Sequence, residues 1–299
     1  MIIYEGLAAL LPKIAEHFQG IIAPQIPPIC HSTPDSHPTF FDSFSSQNSF
    51  WSLDLRGDRV SRFVWGNPAQ LFLQGNHEND SSWNYRIGPS SGSEIVSDAL
   101  FGFGTYRFRL QFSSCDPLRN EDLVNGAFLY FNNGVDSDSN GMTDNSEIDF
   151  EFLCGEPHSL YITSWTDYED ARHFQKITRR IRFDTGEIFQ TPSGYEGSDR
   201  LERMNWNPSL KHPQLAFDRE FHEMGFHWSS RSLEFFLRIG NEEQRLWRIQ
   251  DPRRIPQHPG NFRFNLWHPQ VHWMNGEAAS YPRGDSEMRI ECLSYEASR

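Results

Sequence analysis

The sequence predicts an all-β protein, an antiparallel β-sandwich or jelly roll, on three observations. Short aromatic and apolar runs recur from Thr39 onward. Polar turns rich in Gly, Asn, Asp and Ser separate them, and no alternating βαβ pattern is visible. The length of 299 residues suits one large sandwich, and 37% apolar content is ample for a core.

Taken in order, residues 1–38 form an arm. Leu7, Leu10, Leu11, Ile14 and Phe18 lie at helical spacing and predict a short amphipathic helix packed on the domain edge. PQIPPICHSTPDSHP (24–38) reads as an irregular Pro- and Ser-rich linker. Glu5, Pro12 and Lys13 interrupt the N-terminal apolar pattern, so no secretory signal is visible. The domain at 39–299 carries the strands: RFVWG (62–66), AQLFLQG (69–75), GTYRFRLQF (104–112), NGAFLYFNN (125–133) and EIDFEFL (147–153). Then come SLYITSW (159–165), FHEMGFHW (221–228), SLEFFLRIG (232–240), NFRFNLW (261–267) and MRIECLSYEA (288–297).

A net charge of −13 argues against nucleic acid or an anionic membrane surface as partner. No apolar run approaches the ~18–20 residues of a membrane span. A neutral ligand better fits an acidic chain with 9 Trp and 25 Phe, and a monomer is expected. Cys30, Cys115, Cys154 and Cys292 show no CxxC spacing; they are too sparse to read as a disulfide framework, which leaves the redox compartment open. His222 with His227, and His268 with His272, lack neighbouring Cys or carboxylate ligands in a zinc pattern and read as ordinary histidines.

Residues 136–151, DSDSNGMTDNSEIDFE, can be parsed in two ways. From Asp136 they satisfy the EF-hand calcium-loop expression, with Glu147 closing the loop. From Glu147 they place carboxylates at every second residue: Glu147, Asp149 and Glu151. The flanks decide. NGAFLYFNN before and EIDFEF after are strand-like, with Ile148, Phe150 and Phe152 on the opposite face, so an EF-hand between helices is rejected. Asp136, Asp138, Asn140 and Asp144 still cluster hard oxygens around Gly141, as a structural calcium loop or a polar hairpin loop would.

Like charges at i and i+2 repel across ~7 Å, and β-propensity disfavours both residue types. Tolerating that cost points to chemistry. Two side chains leaning together from Cα atoms ~13 Å apart can approach the ~5–5.5 Å carboxyl separation of a retaining glycosidase. One would attack the anomeric carbon while the other, kept protonated by the clustered charge, delivers a proton to the leaving oxygen. The middle carboxylate would share a proton with the nucleophile.

NSEIDFEF resembles the E-[ILV]-D-x-E active-site strand of glycoside hydrolase family 16, which includes lichenases, laminarinases and xyloglucan transglycosylases. SEIVSDALFGFGTYRFRLQF (93–112), FHEMGFHWSSRSLEFFL (221–237) and NFRFNLW are similar to three further family segments, in family order. The resemblance implies a concanavalin-like jelly roll and a polysaccharide substrate. It makes Glu147 the nucleophile, Asp149 the assisting acid and Glu151 the general acid/base. It also implies that Glu94, Asn265 and Trp267 contact substrate. The family commonly has Arg two residues after Glu94, where this chain has Val96, which removes a sugar-binding group.

The bulge-free strand is similar to that of lichenases and xyloglucan enzymes, which favours β-1,4-containing or mixed-linkage glucans. Trp165 reads equally as substrate platform and core, Trp228 as core, and Trp206 and Trp273 stay open. The loops at 170–215 match no family segment. No cofactor is required beyond the possible calcium. The expectation is a retaining endo-β-glucanase-type hydrolase; the alternatives are a transglycosylase on the same site, a non-catalytic glycan-binding module, or a calcium-dependent adhesion protein. Relatives are mostly secreted, which the resemblance would imply here too.

Overall fold

The computed structural model describes residues 30, 39–56, 61–75, 91–170, 172–192, 200–269, 279 and 282–298. The expected N-terminal helix, His272 and Trp273 lie outside them. In chain order the strands are β1 (Phe40–Asp42), β2 (Trp51–Arg56), β3 (Ser61–Val64), β4 (Ala69–Leu73), β5 (Ser91–Phe101) and β6 (Gly104–Gln111). There follow β7 (Val124–Asn132), β8 (Asp144–Leu153), β9 (Ser159–Asp170), β10 (His173–Arg182), β11 (Glu187–Gln190) and β12 (Glu202–Trp206). The last are β13 (His222–Ser229), β14 (Ser232–Ile239), β15 (Glu242–Ile249), β16 (Gly260–His268) and β17 (Ser286–Ala297).

They form two antiparallel sheets. One runs β15-β14-β13-β6-β17-β4-β3, with β1 paired to β17; the other runs β12-β11-β10-β9-β8-β7-β16-β5-β2. Every run expected from the sequence is a strand. The stretch 170–215, which matched nothing, supplies β10, β11 and β12 and extends the nine-stranded sheet on one side of β8.

Alternation builds the core. In β8, Ile148, Phe150 and Phe152 are fully buried between the sheets, which turns Glu147, Asp149 and Glu151 to the other face. Phe150 packs edge-on against Phe108 of β6 and Phe235 of β14, ring centroids 5.3 and 5.5 Å away, and Phe152 stacks on Phe112 at 5.0 Å. Each such ring contributes roughly 1.5–3 kcal/mol of burial. The carboxylate-bearing strand is thereby fixed by side chains of the opposite sheet.

The cysteines correct an expectation. Cys30 is bonded to Cys292 and Cys115 to Cys154, across sequence separations of 262 and 39 residues. Cys115 follows β6 and Cys154 follows β8, so the sandwich itself brings them together. Local spacing carries no signature of a bridge made by topology. Cys30 also donates its backbone N–H to Glu223 on β13 at 3.1 Å.

Candidate active site

Register places the site residues. Asn265 of β16 faces Gly126 of β7, which faces Glu151 of β8, which faces Tyr161 of β9. The next rung reads Val96, Arg263, Phe128, Asp149, Thr163, and a third reads Tyr130, Glu147, Trp165, Lys176. From Glu147 to Glu151 the pairing with both neighbours is continuous; the one irregularity in β8–β9 pairing lies before it, between Asp144 and Glu147. Gly126 leaves room for the Asn265 side chain, because a Cβ at that position would lie 2.4 Å from Asn265 Oδ1 and displace it.

Glu94, Glu147, Asp149, Glu151, Asn265 and Trp267 line one cavity of about 280 Å³, with Phe128, Tyr130 and Arg263. An adjoining cavity of about 700 Å³ shares the three carboxylates of β8 and runs over β9, β10 and β11 past Trp165, Lys176, Arg180 and Phe189. Trp267 stands where the two meet. The face thus forms one cleft across the strands, with β8 at its centre.

The carboxylates are held differently. Asp149 is buried and accepts Trp165 Nε1–H at 3.0 Å, while its Oδ1 has no hydrogen-bond partner among the described residues. Burial, then the charges of Glu147 and Glu151, push its pKa well above the usual carboxylate range. Glu147 is half-buried and accepts from Asn145 Nδ2 at 3.2 Å. Burial raises it to about 7, against the hydrogen bond from Asn145 and the charges of Lys176 and Arg263, with Glu94 adding to the rise. A cluster in this state retains a proton near neutral pH and can pass one to a bound group.

Glu94 is buried, and Arg263 Nη1 and Asn265 Nδ2 donate to its two oxygens at 2.7 and 3.3 Å. Trp165 is a cleft residue whose N–H is committed to Asp149 and whose ring meets Lys176 Nζ, 4.4 Å from its centroid. Trp228 is in the core, 2% exposed, and Trp206 is exposed on the edge strand β12. His222 is buried beside Ala216, and His227 meets Thr105 and Glu243.

Sequence reasoning missed Arg263, Lys176 and Tyr130. Arg263 had a signal: in NFRFNLW, Asn261, Arg263, Asn265 and Trp267 alternate with buried Phe262, Phe264 and Leu266. Reading that alternation through would have put Arg263 on the face of Asn265.

The loop 136–144 lies at the start of β8 and lines neither cavity. Asp136, Asp138 and Asp144 bring carboxylate oxygens within 4.8 Å of one another and could contribute to holding a cation. They also serve the loop itself. Asp136 accepts the backbone N–H of Asn140 and Gly141, Asp138 that of Asn140, and Asp144 the N–H and hydroxyl of Ser137. Asn140 ties the loop to β9 through Asp167 at 2.9 Å.

No protein-family model matches the chain, and no curated protein does. Solved structures do. A β-glucanase of Bacillus licheniformis superposes with a TM-score of 0.53 over 88% of this chain and 100% of its own, at 16% identity. The laminarinase catalytic domain of Thermotoga maritima gives 0.52 over 88% and 98%, at 10% identity. The transglycosylase Crh5 gives 0.52 over 87% and 84%, at 14% identity. With its two antiparallel sheets and its strand order, this chain has a jelly-roll fold like that of glycoside hydrolase family 16.

Proposed function

We propose that the protein is a retaining, endo-acting glycoside hydrolase that cleaves a β-glucan-type polysaccharide lying across the nine-stranded sheet. The observation that carries the reading is the set of three carboxylates on one face of β8, at the floor of an open cleft. A stability-driven sequence would not keep that repulsion buried.

Glu147 attacks the anomeric carbon as the carboxylate, and Glu151 delivers its proton to the glycosidic oxygen as the bond breaks. Glu151 then takes a proton from water, which attacks the same carbon and releases Glu147. Asp149, kept protonated by its surroundings and oriented by Trp165, shares a hydrogen bond with the nucleophile and eases its departure. Glu94 and Asn265 suit hydrogen bonds to sugar hydroxyls, and Trp267 offers a flat ring to a sugar face. Carboxylates and water suffice for this chemistry. The two disulfides fit a protein that folds in an oxidising compartment, as a secreted polysaccharide-degrading enzyme does.

A second reading, transfer to a sugar acceptor in place of water, is favoured by the larger cavity over β9–β11. Its aromatic lining of Trp165, Phe174 and Phe189 could hold an acceptor chain. Reducing-sugar release from lichenan, laminarin, xyloglucan, carrageenan and agarose, with Glu147→Gln alongside, tests both. Release abolished in the variant supports hydrolysis; chain-length redistribution without net release supports transfer. Binding that persists with no turnover in either protein would make the chain a glycan-binding module.

A further inference from the structure

Val96 and Arg263 face each other directly across the β5–β16 ladder, on the cleft side. Side chains so paired have Cβ atoms ~4.5–5.5 Å apart, so a guanidinium rooted at 263 reaches the space that one rooted at 96 would fill. In the family resemblance an arginine falls at the position of Val96, and the family's MMNLW strand, to which NFRFNLW is similar, has a methionine at the position of Arg263. This chain has the two exchanged in kind. We propose that Arg263 supplies from β16 the guanidinium that β5 lacks, and that it is a positioning residue setting Glu94 and a bound sugar beside Glu147. The proposal rests on the reading of Glu147 as nucleophile.

Four features support it. Arg263 donates to Glu94 at 2.7 Å with side chains only 13% and 6% exposed, a desolvated pair that stability alone does not favour. Its guanidinium lies over the Tyr130 ring, 4.7 Å from the centroid, and Tyr130 is the cross-strand partner of Glu147. The side chain lines the cavity that holds the three carboxylates, and its buried Nε–H has no hydrogen-bond partner among the described residues. Orphan donors of this kind cost stability and are retained where something else requires them. Finally, its charge favours the ionised form of Glu147 against burial, which is the largest influence, alongside the hydrogen bond from Asn145 and the charge of Lys176, and opposite to Glu94.

A bland alternative is that Arg263 only neutralises Glu94. The two readings separate in a position swap. On the best-cleaved polymer, Arg263→Met is expected to lose about 10²-fold in kcat/KM and to move the acidic limb of its pH profile upward. Arg263→Lys is expected to keep the limb near its wild-type place while recovering little of kcat/KM, because an ammonium lacks the planar fork. Val96→Arg added to Arg263→Met is expected to restore kcat/KM at least tenfold and return the limb downward. The same set in a Glu147→Gln background, read as oligosaccharide affinity by calorimetry, should show the same loss and recovery in Kd without turnover. If Arg263→Met does not fold, Arg263→Lys and the swapped double variant still carry the test.

Arg263→Met within threefold of wild type, while Glu147→Gln is inactive, overturns this proposal alone. A folded double variant no better than the single one also overturns it. Full activity in Glu147→Gln overturns the catalytic reading and this proposal with it.

Discussion

The outward faces of the two sheets solve the problem of placing charge on a strand in opposite ways. On the eight-stranded sheet, charges that meet across the face have opposite sign, whether on adjacent strands or on strands further apart. Arg107 meets Glu243 at 2.8 Å and Arg238 meets Glu223 at 2.7 Å. Glu243 is held down to about 2, first by its hydrogen bond with His227 and then by Arg107. On the nine-stranded sheet, three carboxylates of one strand share a face, and Glu147 is raised to about 7. The first face stabilises the fold; the second does so only when something positive or protonated occupies it. Charge pattern, more than burial or strand content, separates scaffold from site.

The largest expected effect is on turnover. Glu147→Gln and Glu151→Gln are each expected to lose about 10⁴-fold or more in kcat, measured on the best polymer substrate. Glu147→Gln should also raise the thermal midpoint by a few °C near pH 8. The sign follows from the shift. The folded state holds this proton more tightly than the unfolded one, so ionisation weakens the fold as pH rises from about 4.5 through about 7. A fall in the midpoint would mean that the cleft carboxylates do not strain the structure.

Phe150→Ala removes the ring that fixes β8 to β6 and β14, and should cost about 3–5 kcal/mol in denaturant unfolding. Its effect on the nine-stranded sheet should be read by hydrogen exchange, with opening centred on β8. Trp165→Phe takes the indole N–H from Asp149 and leaves a smaller aromatic ring in its place; about a tenfold fall in kcat/KM is expected.

On the other face, Glu243→Gln should cost no more than about 1 kcal/mol, since the pair is partly exposed. Its carboxylate is depressed, so that stability is present above about 4.5 and is lost as pH falls toward about 2. Smallest of all, EDTA is expected to leave kcat unchanged. A loss restored by calcium would show that the 136–144 loop binds a cation that the head of β8 needs.

Legibility in the sequence followed the same division. The alternation of EIDFEF and the aromatic runs were readable because a buried face and a polar face differ at every second residue. β10 was not readable. Ile177 and Ile181 turn inward, but Arg179 between them is also inward, its guanidinium over the Trp247 ring at 4.6 Å, so the expected pattern is broken. β12 is exposed at every position, so no buried face marks it. Arg263 was legible in the alternation of NFRFNLW. The disulfides were not legible, because only the closed sandwich makes those cysteines neighbours.

One of those disulfides has a further consequence. Cys30 and Cys292 close a ring that contains β1 through β16 and more than half of β17. A protease that cuts any exposed loop within it converts the ring into two chains that are still joined. Nicked protein should therefore migrate as two fragments only after reduction. It should also retain its cleft as long as both halves of the sandwich stay packed. In surroundings rich in hydrolytic enzymes, cleavage of a loop and loss of the molecule become separate events.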